Sequence, residues 1–557
     1  MNKIIRKFVS PDGEWTVTAL LPETLPQTGA QGAMVICLKD REIDENEFLD
    51  RYGLLSLIES AHLAVLFPRM RGSSWSVDTD VPLVQALLDQ AGQFSNDVWH
   101  DSPDRHYLLG EDSGATLCCA VAMSEYGAVP SAICAVGGQV LHTTPKNGAA
   151  VPVLLVDAEK GCEDYFVRVN HCEKNKNGRM VCPWHPTYQV WSISREELSQ
   201  INVWTDFFDQ IRRVNTSVRG DVASRASRLP AHAVICKQMP LSDGREHDWI
   251  EIPPPSVRAG NKEAVPLIML CHGMGDTPAH LAEQTGMHLL GERDNFITVY
   301  AGAGNGIRWN LSGADNLPDD NVYLLALIEE IARRYPVDRM RIYVSGFSNG
   351  AGMAMMFALN NPEVVAAACP IDSTFPYATT ARFTPLRPKR YLVPVEGEKT
   401  FILPRSDYHA AMAPLEHALQ RQKERKTPLV LPVMYFYGSR ESEYPVRSGS
   451  NQELNYRFWK AFNGIPQQDT DDALDGEEAV GVLGNEKHLI KFERYPMHSW
   501  TDHVFRNENG LDVYHFVLMH GKAHDVHPCE AEIGWHFVSR FARREDGRLM
   551  TLEGEIV

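Results

Sequence analysis

Ser348 lies in Arg341-Ile342-Tyr343-Val344-Ser345-Gly346-Phe347-Ser348-Asn349-Gly350-Ala351-Gly352, where a β-branched run meets Gly-x-Ser-x-Gly and then small residues. That pattern is a nucleophile elbow, a sharp strand-to-helix turn that presents a serine hydroxyl and leaves no room for side chains on either side. A serine attacking a carbonyl needs three helpers: donors for the oxyanion, a base, and an acid that orients the base. The donors are expected upstream, where an apolar run ending at Cys271 enters His272-Gly273-Met274-Gly275. The backbone N–H of Gly273 or Met274 would supply one and that of Asn349, next after the nucleophile, the other. His272, Trp309 and Phe347 are expected to border the substrate.

In strand-elbow-helix enzymes of this kind the acid and then the base follow the serine along the chain. Leu429 to Gly438 reads as a strand leading into Ser439-Arg440-Glu441-Ser442-Glu443, which makes Glu441 the expected acid and Glu443 the reserve. Val513 to Met519 reads as a last strand, with Gly521-Lys522-Ala523-His524 beyond it and a helix starting near Glu530. His524 is therefore the expected base, although the chain holds 21 histidines and His498, His520 and His527 lie close by. Asp320 is expected to cap a helix over 322–335, whose Leu324, Leu327, Ile328 and Ile331 repeat at helical spacing and should face a sheet.

From about Ala231 to Phe541 the chain resembles the polyhydroxybutyrate depolymerase-like and feruloyl esterase group of α/β-hydrolases. The resemblance rests on Leu270 to Gly275, Ala301-Gly302 to Trp309-Asn310, Asp319 to Val322, Arg333 to Asp338, the elbow, and Gly521 to His524. Phe458-Trp459 and Asn463-Gly464 also resemble the pairs that members often carry between acid and histidine. Two departures stand out: the group's acid is usually aspartate where Glu441 stands, and Trp-Pro-Gly usually follows the histidine where Asp525-Val526-His527-Pro528 follows here. The resemblance implies an α/β fold and a serine hydrolase cleaving carboxylic esters of short-chain acyl, hydroxycinnamoyl or hydroxyalkanoate type through an acyl-enzyme, with no metal or organic cofactor. A Ser-His-acid site also serves peptidases, so a prolyl-oligopeptidase-type amidase stands as the alternative, and a noncatalytic binding or assembly protein as the second.

The front of the chain reads as a degenerate copy of the back. His106 to Ala115 aligns with Arg341 to Ala351 so that Asp112 falls on Ser348, and Ala33 to Leu38 aligns with the strand before His272 but runs into Lys39-Asp40. Val65 through Trp75 echoes Thr298 through Trp309, Val151 to Asp157 echoes the acid-bearing strand, and Val203 to Phe208 the closing helix. The expected organisation is tandem α/β-hydrolase folds: residues 1–215 noncatalytic, 216–230 a linker, and 231–557 catalytic with a cap-like insertion near 374–426. Phe375, Tyr377, Phe383, Tyr391 and Phe401 in that insertion suit either an acyl pocket or the cap's own core. A shifted nucleophile at Ser113 is disfavoured, because no histidine follows in the needed place. The front half is read as a noncatalytic scaffold, suited to docking on the catalytic half, to a homo-oligomer contact or to shaping the mouth of the cleft, with no choice among these made by the sequence.

With 557 residues and 44% hydrophobic content, the chain can bury more than one core. A net charge of −18 argues against a nucleic-acid partner, since phosphate binding needs clustered cations. The basic start at Met1 to Phe8 is followed by a turn at Ser10 to Glu14 rather than an apolar run, so neither signal peptide nor membrane span is expected. Eleven cysteines suit a reducing, cytoplasmic setting better than a disulfide framework. Cys162, His171, Cys172, Cys182 and His185 crowd one stretch, but their spacing is too long for a structural zinc site.

Overall fold

The computed structural model describes residues 1–10, 13–24, 32–39, 43–96, 98–99, 101–124, 130–140, 150–214, 222–225, 227–304, 306, 308–311, 318–373, 382–383, 401–402, 407–441, 451–466, 484–493, 495 and 498–552. Two compact units part at Ala226 and Ser227. Each is built on its own ten-stranded sheet.

In the first unit the strands are β1 (Asn2–Ser10), β2 (Gly13–Leu21), β3 (Gly32–Leu38), β4 (Ala64–Pro68), β5 (Asp101–Glu111), β6 (Ala132–Val136), β7 (Val153–Val156), β8 (Glu173–Lys174), β9 (Met180–Val181) and β10 (Gln189–Ile193). They lie in the order β1-β2-β4-β3-β5-β6-β7-β10-β9-β8. Pairing is parallel from β4 across to β10 and antiparallel at both margins. Alternate residues of the central strands feed different cores: Met34, Ile36 and Leu38 pack on one face and Ala33, Val35 and Cys37 on the other. A sheet covered on both faces reads as the continuous apolar runs seen in these segments. β11 (Ile211–Val214) and β12 (Val222–Arg225) then pair antiparallel, so part of the expected linker is a strand.

The second unit repeats the plan with β13 (Val234–Pro240), β14 (Glu246–Ile252), β15 (Val265–Cys271), β16 (Ile297–Ala301), β17 (Val337–Phe347), β18 (Ala367–Ile371), the short pair β19 (Arg382–Phe383) and β20 (Phe401–Ile402), then β21 (Val433–Gly438), β22 (Glu486–Ile490), β23 (Trp500–Arg506) and β24 (Asp512–Met519). Its sheet runs β13-β14-β16-β15-β17-β18-β21-β24-β23-β22, parallel from β16 across to β24 and antiparallel at the margins. Strand order and sense therefore match the first sheet at every junction. Both units are α/β.

One face of the second sheet is covered by the helices Asp320–Arg334 and Asn349–Asn360. The other carries Pro528–Val538, whose Trp535 stacks on Phe296 with ring centroids 3.7 Å apart. Leu324, Leu327, Ile328 and Ile331 are buried as their spacing requires. Several boundaries differ from expectation. The cap of the Asp320–Arg334 helix is Asp319, whose carboxylate takes the N–H of Asn321 and Val322, while Asp320 is already helical and turns inward. The closing helix begins at Pro528 with His527 as its cap, because proline fits the first helical position. The front unit's counterpart at Val203–Asp206 is a single turn. Of the expected 374–426 insertion, β19, β20 and the helix Asp407–Glu424 are seen; Phe375, Tyr377, Tyr391 and the cap they were to form lie outside the described residues.

Backbone crowding is severe at the elbow of the second unit. A Cβ on Gly350 would sit 2.1 Å from the Cys271 carbonyl oxygen, and one on Gly346 2.5 Å from that of Gly350. Gly350→Ala is expected to cost about 2 kcal/mol or more, the scale of an overpacked core, and to lower the melting temperature visibly. Gly161→Ala, where nothing lies within 4 Å, should leave it unchanged.

Acid should loosen the second unit. Burial against β24 pushes His503 on β23 down to about 4, helped by Lys487. A depressed histidine is neutral when folded, whereas the unfolded chain takes a proton near pH 6.5. Its stability share is present above about 6.5 and lost as pH falls toward 4, about 3 kcal/mol in all. Thermal melts across that window should show a shallower decline in His503→Phe than in wild type.

Candidate active site

Strand β17 ends at Phe347, and Ser348 turns the chain at φ 54° into the helix Asn349–Asn360. Positive φ is uncommon for a residue with a Cβ and must be enforced by its surroundings. Here the Ser348 N–H is fixed to the Ile371 carbonyl at 2.9 Å, and the glycines at 346 and 350 let β15 and the helix close around it.

Ser348 Oγ lies 2.8 Å from His524 Nε2, and His524 Nδ1 lies 2.7 Å from Glu441 Oε1. The expected serine, histidine and acid are thus joined in one hydrogen-bonded chain. With Nδ1 donating to the carboxylate, Nε2 is left to accept from the serine hydroxyl, the tautomer a general base needs. Glu441 is buried and His524 half-exposed. Glu443 lies outside the described residues. The nearby histidines are otherwise engaged: His520 Nε2 bonds to Thr501 Oγ1, His527 Nδ1 accepts the Cys529 N–H, and His498 packs beside His527.

Two loops carry acid and base, and they are laced together. The Arg440 N–H donates to the Lys522 carbonyl at 2.8 Å, the Gly521 N–H to Ser439 Oγ at 2.8 Å, and Ser439 N–H to Met519 O at 3.0 Å. Gly438 is required there, since its Cβ would meet Lys522 O at 2.4 Å.

The loop after β15 arches over the serine. A Cβ on Gly273 would lie 3.1 Å from the Phe347 ring and 3.6 Å from Ser348 Cβ, so this backbone passes directly beside the nucleophile. Asn349 opens a helix whose first N–H groups have no intrahelical acceptor and sit at the positive end of its dipole. Met274 is 61% exposed and Phe347 rests against His524 with centroids 4.9 Å apart.

His272 and Trp309, expected to border the substrate, are both buried. His272 Nε2 accepts the Ala303 N–H at 3.0 Å, leaving Nδ1 to donate to Gly273 O at 2.7 Å. Burial holds this imidazole below its usual pKa, hence neutral. Trp309 bridges the loop after β15 and the start of the Asn349–Asn360 helix, the two segments expected to supply oxyanion donors: its indole N–H gives to His272 O at 2.8 Å, and its backbone N–H gives to Asn349 Oδ1 at 2.7 Å. Asp320, facing inward, takes the N–H of Gly304 and of Asn310.

The first unit has the same skeleton with different side chains. Asp112 occupies the elbow at φ 47°, its N–H on the Val136 carbonyl. Trp75 repeats the bridge, indole N–H to Lys39 O at 3.1 Å and backbone N–H to Ser113 Oγ at 3.1 Å. Where base and acid would come, Arg195 follows β10 and Asp157 follows β7; the guanidinium pairs with Asp112 at 3.2 Å and approaches Asp157 at 3.8 Å.

Residues 251–380 match the family model described as Esterase PHB depolymerase. The chain resembles the polyhydroxybutyrate depolymerase-like esterases. It is 28% identical over 125 residues to a bifunctional acetylxylan esterase/xylanase of Neocallimastix patriciarum, covering 22% of this chain and 18% of that protein. It is 29% identical over 143 residues to poly(3-hydroxyalkanoate) depolymerase C of Paucimonas lemoignei, covering 24% and 34%. The chain thus matches only a minor part of the length of either relative. Among solved structures, an acetyl xylan esterase from Aspergillus awamori aligns at 13% identity over 55% of this chain and 99% of its own, with a TM-score of 0.34. The family match includes His272, Gly273, Met274, Trp309, Ser348 and Asn349 but ends before Glu441 and His524, whose place rests on geometry. No helix among the described residues is long and apolar enough to cross a membrane.

If Trp309 holds both donor segments, Trp309→Phe should lower kcat about tenfold with little change in KM, the effect of removing one buried hydrogen bond worth about 1–2 kcal/mol. Steady-state kinetics on a chromogenic short-chain ester would measure it.

Proposed function

We propose that the second unit is a serine hydrolase cleaving carboxylic esters through an acyl-enzyme. The observation that carries the reading is the hydrogen-bonded chain from Ser348 through His524 to Glu441 on a strained elbow. In the reaction, Ser348 Oγ attacks the ester carbonyl while His524 Nε2 takes its proton. The carbonyl oxygen becomes an oxyanion held by the N–H of Asn349 and of Gly273 or Met274. The C–O bond to the alcohol breaks as His524 returns the proton to the leaving oxygen. Water then attacks the acyl carbon, gives its proton to His524, and releases the acid as Ser348 regains its hydrogen. Glu441 holds the imidazole in its tautomer and balances the charge it acquires. The scheme uses no metal or organic cofactor.

The two relatives by sequence are named for acetylxylan and polyhydroxyalkanoate substrates, and both bonds are esters. That common chemistry favours an ester over an amide, with acetyl, hydroxyalkanoyl and hydroxycinnamoyl esters as the substrate classes to try. The first unit is proposed to be noncatalytic, because Asp112 paired to Arg195 replaces serine and histidine. A cytoplasmic location and a homo-oligomer contact through that unit remain part of the proposal.

Hydrolysis of p-nitrophenyl acetate and butyrate, methyl ferulate and an aminoacyl p-nitroanilide tests the reading. Wild type should turn over a short ester. Ser348→Ala should lose essentially all of it, Glu441→Gln should lose about 10²–10⁴-fold in kcat, and Ser113→Ala should match wild type. Cleavage of the anilide alone would replace the esterase reading with an amidase, and full ester turnover by Ser348→Ala would end it.

A further inference from the structure

Beside the Ser348–His524–Glu441 chain lies a charged cluster that the proposed reaction does not use. Lys522, two residues before the histidine, is fully buried, with Nζ 2.7 Å from Asp372 Oδ2 and 2.6 Å from Glu530 Oε1. Asp372 Oδ2 also takes the Asp525 N–H at 3.1 Å, and Glu530 Oε2 takes the His527 N–H at 2.9 Å. The loop bearing His524 is thus tied on both sides of the imidazole. Burial alone would lower the Lys522 amine, but its two carboxylate partners outweigh that and hold it firmly charged.

Asp372 follows the last residue of β18, next to the elbow strand. Its Oδ1 is buried with no hydrogen-bond partner among the described residues. A carboxylate oxygen of Asp372, one of Glu441 and a ring nitrogen of His524 all lie within 4.8 Å of one another. Asp372 also holds a left-handed φ of 50°, a conformation that costs a residue with a Cβ and is kept where its surroundings demand it.

The first unit supplies an internal comparison. There the residue after the corresponding strand β6 is Gly137, also left-handed at φ 81°, with its N–H on Val156 O as the Asp372 N–H is on Phe436 O. A Cβ at Gly137 would point at the elbow residue, 2.8 Å from Asp112 Oδ1. The backbone at this place therefore suits glycine, and a side chain here aims at the centre of the site. Only the unit with serine and histidine carries a carboxylate.

We infer that Asp372 is a positioning residue for His524, a second carboxyl group beside the imidazole that orients the ring when Glu441 is absent. Burial pushes the Asp372 carboxyl well up, with Lys522 opposing and Glu441 and Glu530 adding to the rise, so its hold on the ring is one of place: a carboxyl oxygen within 4.8 Å of an imidazole nitrogen, on a side chain that also takes the N–H of Asp525 next to His524.

The inference rests on the serine-hydrolase reading, and a double-mutant cycle separates the two. Wild type, Asp372→Asn, Glu441→Ala and the double variant are compared by ester kinetics and by the rate at which a fluorophosphonate labels Ser348, with melting curves as the check on folding. Asp372→Asn should reduce kcat about tenfold in wild type and about a hundredfold in the Glu441→Ala background, with KM little changed in both. Equal factors in the two backgrounds would overturn the inference, since a purely structural role acts alike in each. If Asp372→Asn alone does not fold, D372N/K522M removes opposite charges together and enters the cycle in its place. A wild type that is neither labelled nor hydrolytic would overturn the hydrolase reading, and this inference with it.

Discussion

Everything in the site depends on one unfavourable turn: a serine held at positive φ between a strand and a helix that approach too closely for any side chain at positions 346 and 350. The cost of that turn is met by the parallel sheet around it. β15 and β18 flank β17 in register, and the Ser348 N–H is committed to the end of β18. Because the strand ends converge there, residues distant in sequence meet above the sheet: the loop after β15, the elbow after β17, Glu441 after β21 and His524 after β24. A hydroxyl on a flexible loop would have to be ordered at each encounter with substrate, whereas here the order is a property of the fold.

The same turn in the first unit shows how much of this belongs to backbone and how little to chemistry. Asp112 adopts nearly the same φ as Ser348, Gly110 and Gly114 meet the same crowding as Gly346 and Gly350, and Trp75 makes the same two hydrogen bonds as Trp309. Yet carboxylate, guanidinium and carboxylate stand where a hydroxyl, an imidazole and a carboxylate stand in the second unit. The same backbone frame thus stands in both units around different side chains. It also shows that the glycines and the tryptophan bridge serve folding in both units, whatever else they do in the second.

Legibility in the sequence followed the range of the interaction. Ser348, Asn349 and the loop at 272–275 could be read because a turn with no space for Cβ leaves glycines at fixed spacing. Glu441 and His524 were legible through chain order, each just past an apolar run. The roles of His272 and Trp309 were not, since nothing local says whether a residue beside an oxyanion loop faces substrate or stands behind it; that depends on Ala303 and Asn349 arriving from elsewhere. Two aspartates stand together at the helix start, and only three-dimensional demand from the N–H groups of Gly304 and Asn310 draws Asp320 inward and leaves Asp319 as the cap. The pairing of Asp372 with Lys522 and Glu530 is hidden for the same reason. A carboxylate directly after the strand beside the elbow strand was the available signal, and its meaning depends on a lysine 150 positions later.

That lysine changes how the histidine loop should be understood. Burying three ions without water is unfavourable unless each is closely paired, and replacing them by apolar side chains is often neutral or stabilising. An arrangement that tethers the His524 loop through a charge cluster rather than through packing therefore gains little as a structural staple. Its distinctive property is direction: the bonds of Asp372 and Glu530 to Lys522 Nζ, to the Asp525 N–H and to the His527 N–H fix the backbone on both sides of His524, so the place of the ring beside Ser348 is set by oriented polar contacts that packing alone would not specify.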